Sequence, residues 1–234
     1  MSYPTFVSGQ SAVHTNGGGT NTCAVSLPSA PTVGNLVVVL NAEGEFDDQT
    51  LPATMTATNF TFTRRTFLDV SSPTGRTSSI WTATVPASPG STFTYTTATG
   101  SFDITLAVYE ITNWVSFDVG STGSSGSSST MSDSLTPTAS IDALLMANGT
   151  WRQGGNAVDT LQSPWSRGTS EDRNNSADQA CVVAYLQVLG TTGSYTPTWT
   201  FSDGSHDWVA TSISIKGPSG TAGTNPVPQM IFAC

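Results

Sequence analysis

The sequence predicts an all-β protein: an antiparallel β-sandwich, jelly-roll-like, with an internal pseudo-repeat and extended N- and C-terminal arms. Three observations carry this expectation. Thr and Ser make up about 30% of the 234 residues; Thr is β-branched and suits strands, while Ser, Gly and Pro suit turns. Short segments alternate apolar and polar residues with period two, the pattern of a sheet with one buried and one wet face. Finally, the first half of the chain is echoed in the second. Long Ala/Leu/Glu/Lys stretches are missing, which argues against a helical bundle, a coiled coil or a doubly wound α/β fold.

Taken in order, the strand-like segments are residues 35–42, 59–63, 78–85, 92–97, 104–111, 143–148, 180–189, 196–201 and 208–215, separated by Gly, Pro, Ser and Asn. Phe60 and Phe62 alternate with Asn59, Thr61 and Thr63; Phe93 and Tyr95 alternate with Thr92, Thr94 and Thr96. Leu36 to Leu40 is apolar at every position, so it is expected to be a central strand covered on both faces.

The echo recurs at a spacing of about 104 residues. Leu-Val-Val-Val-Leu-Asn-Ala (36–42) matches Ala-Leu-Leu-Met-Ala-Asn-Gly (143–149), and Phe-Thr-Arg (62–64) matches Trp-Ser-Arg (165–167). Residues 78–85 match 182–188, 90–95 match 193–199, and Gly-Ser-Phe-Asp-Ile (100–104) matches Gly-Ser-His-Asp-Trp (204–208). Two such halves, about 35–111 and 141–216, make either two stacked small sandwiches or the halves of one larger one. The absence of a Pro-rich linker favours one closed sandwich over residues 23–216, with the Gly/Ser-rich bridge 121–134 as a surface loop. Residues 1–22 are expected to be an N-terminal arm and 217–234 a C-terminal arm, each packing on its own domain or docking on a neighbouring chain.

Charge and cysteine content exclude several roles. A net charge of −9, a single lysine (Lys216) and one adjacent basic pair, Arg64-Arg65, give no cationic footprint for nucleic acid. The apolar runs are too short to span a bilayer as helices, and Met1-Ser2-Tyr3-Pro4 lacks the basic start of a Sec signal. No nucleic-acid partner, membrane association or Sec export is therefore expected. Cys23, Cys181 and Cys234 have no metal-binding spacing and support no disulfide framework; Cys181 reads as a small core residue.

Motifs for chemistry are sparse. The sequence holds no H-E-x-x-H, G-x-S-x-G, P-loop or G-x-G-x-x-G. His206-Asp207 does not suggest a triad, because neighbours on a strand point to opposite faces and Asp103 stands in the echoed position without a histidine. Both aspartates read as turn-fixing. Glu43-Gly44-Glu45-Phe46-Asp47-Asp48 offers hard oxygen ligands, but its spacing is not that of a calcium loop, so a solvated acidic loop is expected, as it is for Glu171-Asp172-Arg173. No cofactor, metal or catalytic residue is assigned. Trp114 and Trp151, beside turns, are the candidates for a sugar-stacking surface, while the other tryptophans read as core.

The order Pro-Thr-Val-Gly-Asn-Leu-Val-Val-Val (31–39), Ile80-Trp81, Gly-Ser-Phe-Asp-Ile-Thr-Leu-Ala-Val-Tyr-Glu-Ile (100–111) and Ser-Ile-Ser-Ile (212–215) resembles β-sandwich proteins of tailed bacteriophages, including head-decoration (cement) and tail or fibre components. The resemblance covers roughly residues 30–216 and leaves out both arms. It describes a strand framework and carries over no active-site residue. It implies a virion location after assembly in the host cytoplasm. The resulting expectation is a non-enzymatic capsid decoration protein, homo-oligomeric, whose partners are the major capsid protein or neighbouring virion subunits. Its grip is expected from the apolar tip Met230, Ile231 and Phe232, each contributing about 1.5–3 kcal/mol on burial before ordering costs. The alternative is a carbohydrate- or host-receptor-binding module using Trp114 and Trp151.

Overall fold

A computed structural model describes residues 3–44, 53–70, 75–97, 102–138, 142–152, 159–170, 179–190 and 193–218. The fold is an all-β sandwich, with antiparallel pairing throughout the named strands. The first half contains β1 (Thr5–Thr20), β2 (Thr22–Ser26), β3 (Leu36–Gly44), β4 (Thr54–Thr56), β5 (Thr63–Val70), β6 (Arg76–Thr84), β7 (Thr92–Thr96) and β8 (Phe102–Thr112). The second contains β9 (Ser116–Gly120), β10 (Ser124–Ser128), β11 (Thr130–Ser132), β12 (Ala143–Arg152), β13 (Asp159–Leu161), β14 (Ser166–Arg167), β15 (Gln179–Val188), β16 (Thr198–Phe201) and β17 (His206–Lys216).

The two halves repeat one topology. A sheet ordered β1-β8-β3-β6-β5 is covered by a three-stranded sheet β2-β7-β4; a sheet ordered β10-β17-β12-β15-β14, with β9 also on β17, is covered by β11-β16-β13. Each half thus has its own core. Val37, Val39, Trp81, Leu106 and Val108 meet Val25, Phe93 and Tyr95 in the first. Leu145, Trp151, Val182 and Ala210 meet Met131, Trp199 and Phe201 in the second. The opposite faces of the two large sheets press together in a third core, where Leu36, Val38, Leu40, Tyr109 and Ile111 meet Leu144, Met146, Val183, Ile213 and Ile215.

This arrangement of four layers explains the unbroken apolar run. Even-numbered residues of β3 serve the shared core and odd-numbered ones the first half's own, so every position is buried. It also corrects the expectation of one closed sandwich, since each half completes its own pair of sheets before the halves join.

The faces refine the sequence echo by one residue. Leu36 and Leu144 both face the shared core, whereas Ala143 faces the second half's own core, so Leu36 corresponds to Leu144 and not to Ala143. Trp81 likewise corresponds to Ala184, because Tyr185 lies against the shared core. A slip of one residue turns every side chain to the wrong face. The Arg64–Arg167 match is kept: Arg64 stands opposite Trp81 and Arg167 opposite Ala184.

The bridge 121–134 and residues 1–22 differ from expectation. β10 pairs with β17 from Ser124 to Ser128, and a Cβ at Gly126 would meet the Trp208 ring at 3.0 Å, so a large indole and a bare backbone fill the position together. Ser128 Oγ accepts from Trp208 Nε1 at 3.0 Å. At the other end, β1 forms the edge of the five-stranded sheet along β8 and is not a free arm. Phe6 lies 5.2 Å from the Tyr109 ring and 4.8 Å from Tyr185, wedged between the halves. The N-terminal segment therefore packs on its own chain.

Candidate binding surface

The expected site residues separate in the structure. Met230, Ile231 and Phe232 lie outside the described residues. Trp151 is fully buried in β12, tilted on Phe201 at 5.0 Å, and offers no face to a sugar. The strand expected to end at residue 148 runs on to Arg152, so Trp151 lies within it and not beside a turn. Trp114 is half-buried and packs at the margin of the shared core. The pair proposed for glycan stacking therefore reduces to one residue.

Trp114 belongs to a surface the sequence reading missed. Among the described residues, Val33 and Val115 are the large apolar side chains left exposed, at 61% and 59%. Trp114 Nε1 donates to Gly34 O at 3.0 Å, which clasps the turn carrying Val33 to the turn carrying Val115. Both turns use positive φ, 88° at Gly34 and 56° at Asn113, and both residue types tolerate it. In the sequence, Val33 and Val115 are isolated apolar residues inside turn-forming stretches, and only the fold brings the two turns together.

The turns are held rigidly. The Glu110 carboxylate, fully buried, accepts Thr32 N at 2.8 Å and Asn35 Nδ2 at 2.6 Å. Val115 N donates to Lys216 O at 2.8 Å, so the end of β17 lies against this patch. Lys216 Nζ reaches Asp118 at 3.0 Å, and Thr138 donates to the same carboxylate through its amide at 3.1 Å and through its hydroxyl. Burial opposes the Asp118 charge, but the Thr138 and Lys216 hydrogen bonds and the lysine charge together hold its pKa below the usual value.

Other ionisable groups are engaged within the scaffold. His206 Nε2 bonds Asp203 at 2.8 Å, and this hydrogen bond holds the Asp203 pKa down; the ring stands edge-on to Phe201. Asp103 and Asp207 sit in β8 and β17, opposite Gly44 and Ser127, and thus in strands where turns were expected. Glu43 is a buried residue of β3, accepting from Asn41 Nδ2 at 2.8 Å, and so does not belong to a solvated loop. Residues 45–48 and 171–173, the remainder of the two acidic segments, lie outside the described residues. Asp133 is buried beneath β17, accepting Ser212 Oγ at 2.6 Å and Ser124 Oγ at 3.0 Å. Burial raises its pKa despite these bonds.

Compared with known proteins, the chain matches no family model, no curated protein and no solved structure. The functional reading therefore rests on the residues themselves.

Proposed function

We propose that this chain is a non-enzymatic structural protein of a phage virion, a decoration or cement protein that sits on the head surface through its sandwich and is linked to its neighbours by its C-terminal segment. The observation that carries the reading is the Val33–Trp114–Val115 patch: an apolar contact surface on braced turns, beside the point where residues 217–234 leave β17. The strand order β1-β8-β3-β6 against β2-β7-β4, repeated in the second half as β10-β17-β12-β15 against β11-β16-β13, supports a jelly-roll description, an architecture common in capsid proteins. The strand-framework resemblance over residues 30–216 points the same way.

Immunogold labelling of the particles whose genome encodes the chain tests the proposal. Regular labelling over the head is expected. Absence of the chain from purified particles overturns the reading, and labelling confined to the tail transfers it to a tail or fibre component.

A further inference from the structure

We infer that the Val33–Trp114–Val115 patch is the receptor for residues Met230, Ile231 and Phe232 of a second copy of this chain. The patch leaves two valines more than half exposed beside a tryptophan, an arrangement that favours an apolar partner. The sequence supplies one: Met230-Ile231-Phe232 is the apolar cluster of residues 217–234, a stretch without a single charged side chain in a chain of net charge −9. Such a segment can approach another copy without adding to the mutual repulsion of two acidic bodies.

The root of that segment is fixed next to the patch. Gly217 N donates to Asp142 O at 2.8 Å, and Lys216 O accepts from Val115 N at 2.8 Å. To reach the patch on its own chain, the segment would have to reverse completely and return to its starting point. Proline fixes its own φ and biases the residue before it toward extended backbone, so the sequence Asn225-Pro226-Val227-Pro228 disfavours a tight turn just before the apolar tip. Extended at about 3.1 Å per residue, the 14 steps from Lys216 to Met230 reach roughly 40 Å, enough to cross to a neighbour. Exchange of the segment between copies uses the same patch in every copy. This inference rests on the proposed link between neighbouring copies and specifies it; self-association is read by sedimentation, whereas location in the particle is read separately by labelling.

The test is sedimentation equilibrium on the full chain and two variants of it. One carries Met230→Ser, Ile231→Ser and Phe232→Ser; the other carries Val33→Asp and Val115→Asp, at positions exposed enough that the fold survives. Circular dichroism confirms folding of both. The parent is expected to sediment as a multiple of 24.3 kDa, and each variant alone as a single copy. An equimolar mixture of the two should regain a dimer, because one partner keeps its patch and the other its segment. A monomeric parent, an oligomer that survives in either variant, or a mixture that stays monomeric overturns the inference.

Discussion

Asn148 Nδ2 donates to the main-chain oxygen of Asn41 at 2.7 Å and to Ser78 Oγ at 2.9 Å, joining the two halves through a fully buried amide. In the second half Asn148 takes the place that Leu40 occupies in the first, so a polar side chain replaces an apolar one at the shared interface. The amide is well engaged, since Asn148 Oδ1 also accepts from Cys181 Sγ at 3.3 Å. Stripped of the amide, the Asn41 carbonyl and the Ser78 hydroxyl would lose a donor inside the protein. Asn148→Ala is expected to cost about 1–3 kcal/mol in urea denaturation, with the midpoint lowered and the slope unchanged. A midpoint equal to the parent's would show that the bond contributes nothing net.

Tyr109 supplies a second cross-link. Its hydroxyl donates to Ser170 O and accepts from Ser170 N at 3.0 Å, tying β8 to the segment after β14. Beside it, a Cβ on Gly168 would collide with the tyrosine oxygen and press on Val183. Tyr109→Phe should lower stability by about 1–3 kcal/mol by leaving both main-chain groups of Ser170 without this partner. Gly168→Ala should cost a similar amount through overpacking. Because both act at one spot, the double variant is expected to lose less than the sum of the singles, and strict additivity would contradict the shared contact.

The longer strands were legible in the sequence as apolar or alternating runs, and Phe93 and Tyr95 do face inward between threonines. Alternation misled at residues 59–63, where Asn59 turns with φ 68° and a strand begins only at Thr63, while β2, whose Cys23 and Val25 face inward between Thr22, Ala24 and Ser26, was read as part of no strand. What the sequence did not reveal was phase and partnership. Where every residue from Leu36 to Leu40 is apolar, alternation gives no clue to which face is which, and the echo slipped by one position. The Gly/Ser bridge read as a loop because its inner face is filled by Trp208 from another strand, a partner that local sequence does not display. The exposed valines were overlooked because an apolar residue in a turn says nothing until the neighbouring turn is known.

Two carboxylates should give opposite pH signatures. The Asp133 pKa is raised by burial, so the folded protein holds its proton more tightly than the unfolded chain; the stability tied to this group falls as pH rises from the ordinary value through the folded one. Asp118 is lowered in the fold, so its contribution is present above the ordinary value and is lost as pH falls through the folded value. Denaturant midpoints measured from about pH 3 to pH 7 separate them. Relative to the parent, Asp133→Asn should become more favourable as pH rises through the window between its two pKa values. The deficit of Asp118→Asn should shrink as the solution is acidified. A pH-independent offset for either variant contradicts the corresponding assignment.

Cys23 and Cys181 provide a check on the packing of two different cores. Cys23 is 1% exposed in the first half's own core, and burial pushes its thiol up to about 11. Cys181 is fully buried in the shared core. At pH 8 only about one Cys23 in a thousand is thiolate, and neither sulfur meets solvent. Peptide mapping after brief alkylation of the native protein should find both unmodified, and both should react in denaturant. Native labelling of Cys181 alone would mean that the halves part readily while each keeps its own core.

The glycan-binding alternative now meets a sharper test, because its two tryptophans differ in kind. Trp151→Ala removes a large side chain from a filled core and should cost about 3–5 kcal/mol, enough to unfold much of the protein and abolish any binding indirectly. Trp114→Ala removes a half-buried ring and its bond to Gly34, and should leave both sandwich cores intact. Only Trp114 can therefore report on a surface function. A glycan array probed with the parent and with Trp114→Ala, each checked by near-ultraviolet dichroism, is expected to show no saturable binding that depends on this residue. Saturable binding lost in the folded Trp114→Ala variant would return the patch to a sugar ligand and displace the segment exchange proposed for it.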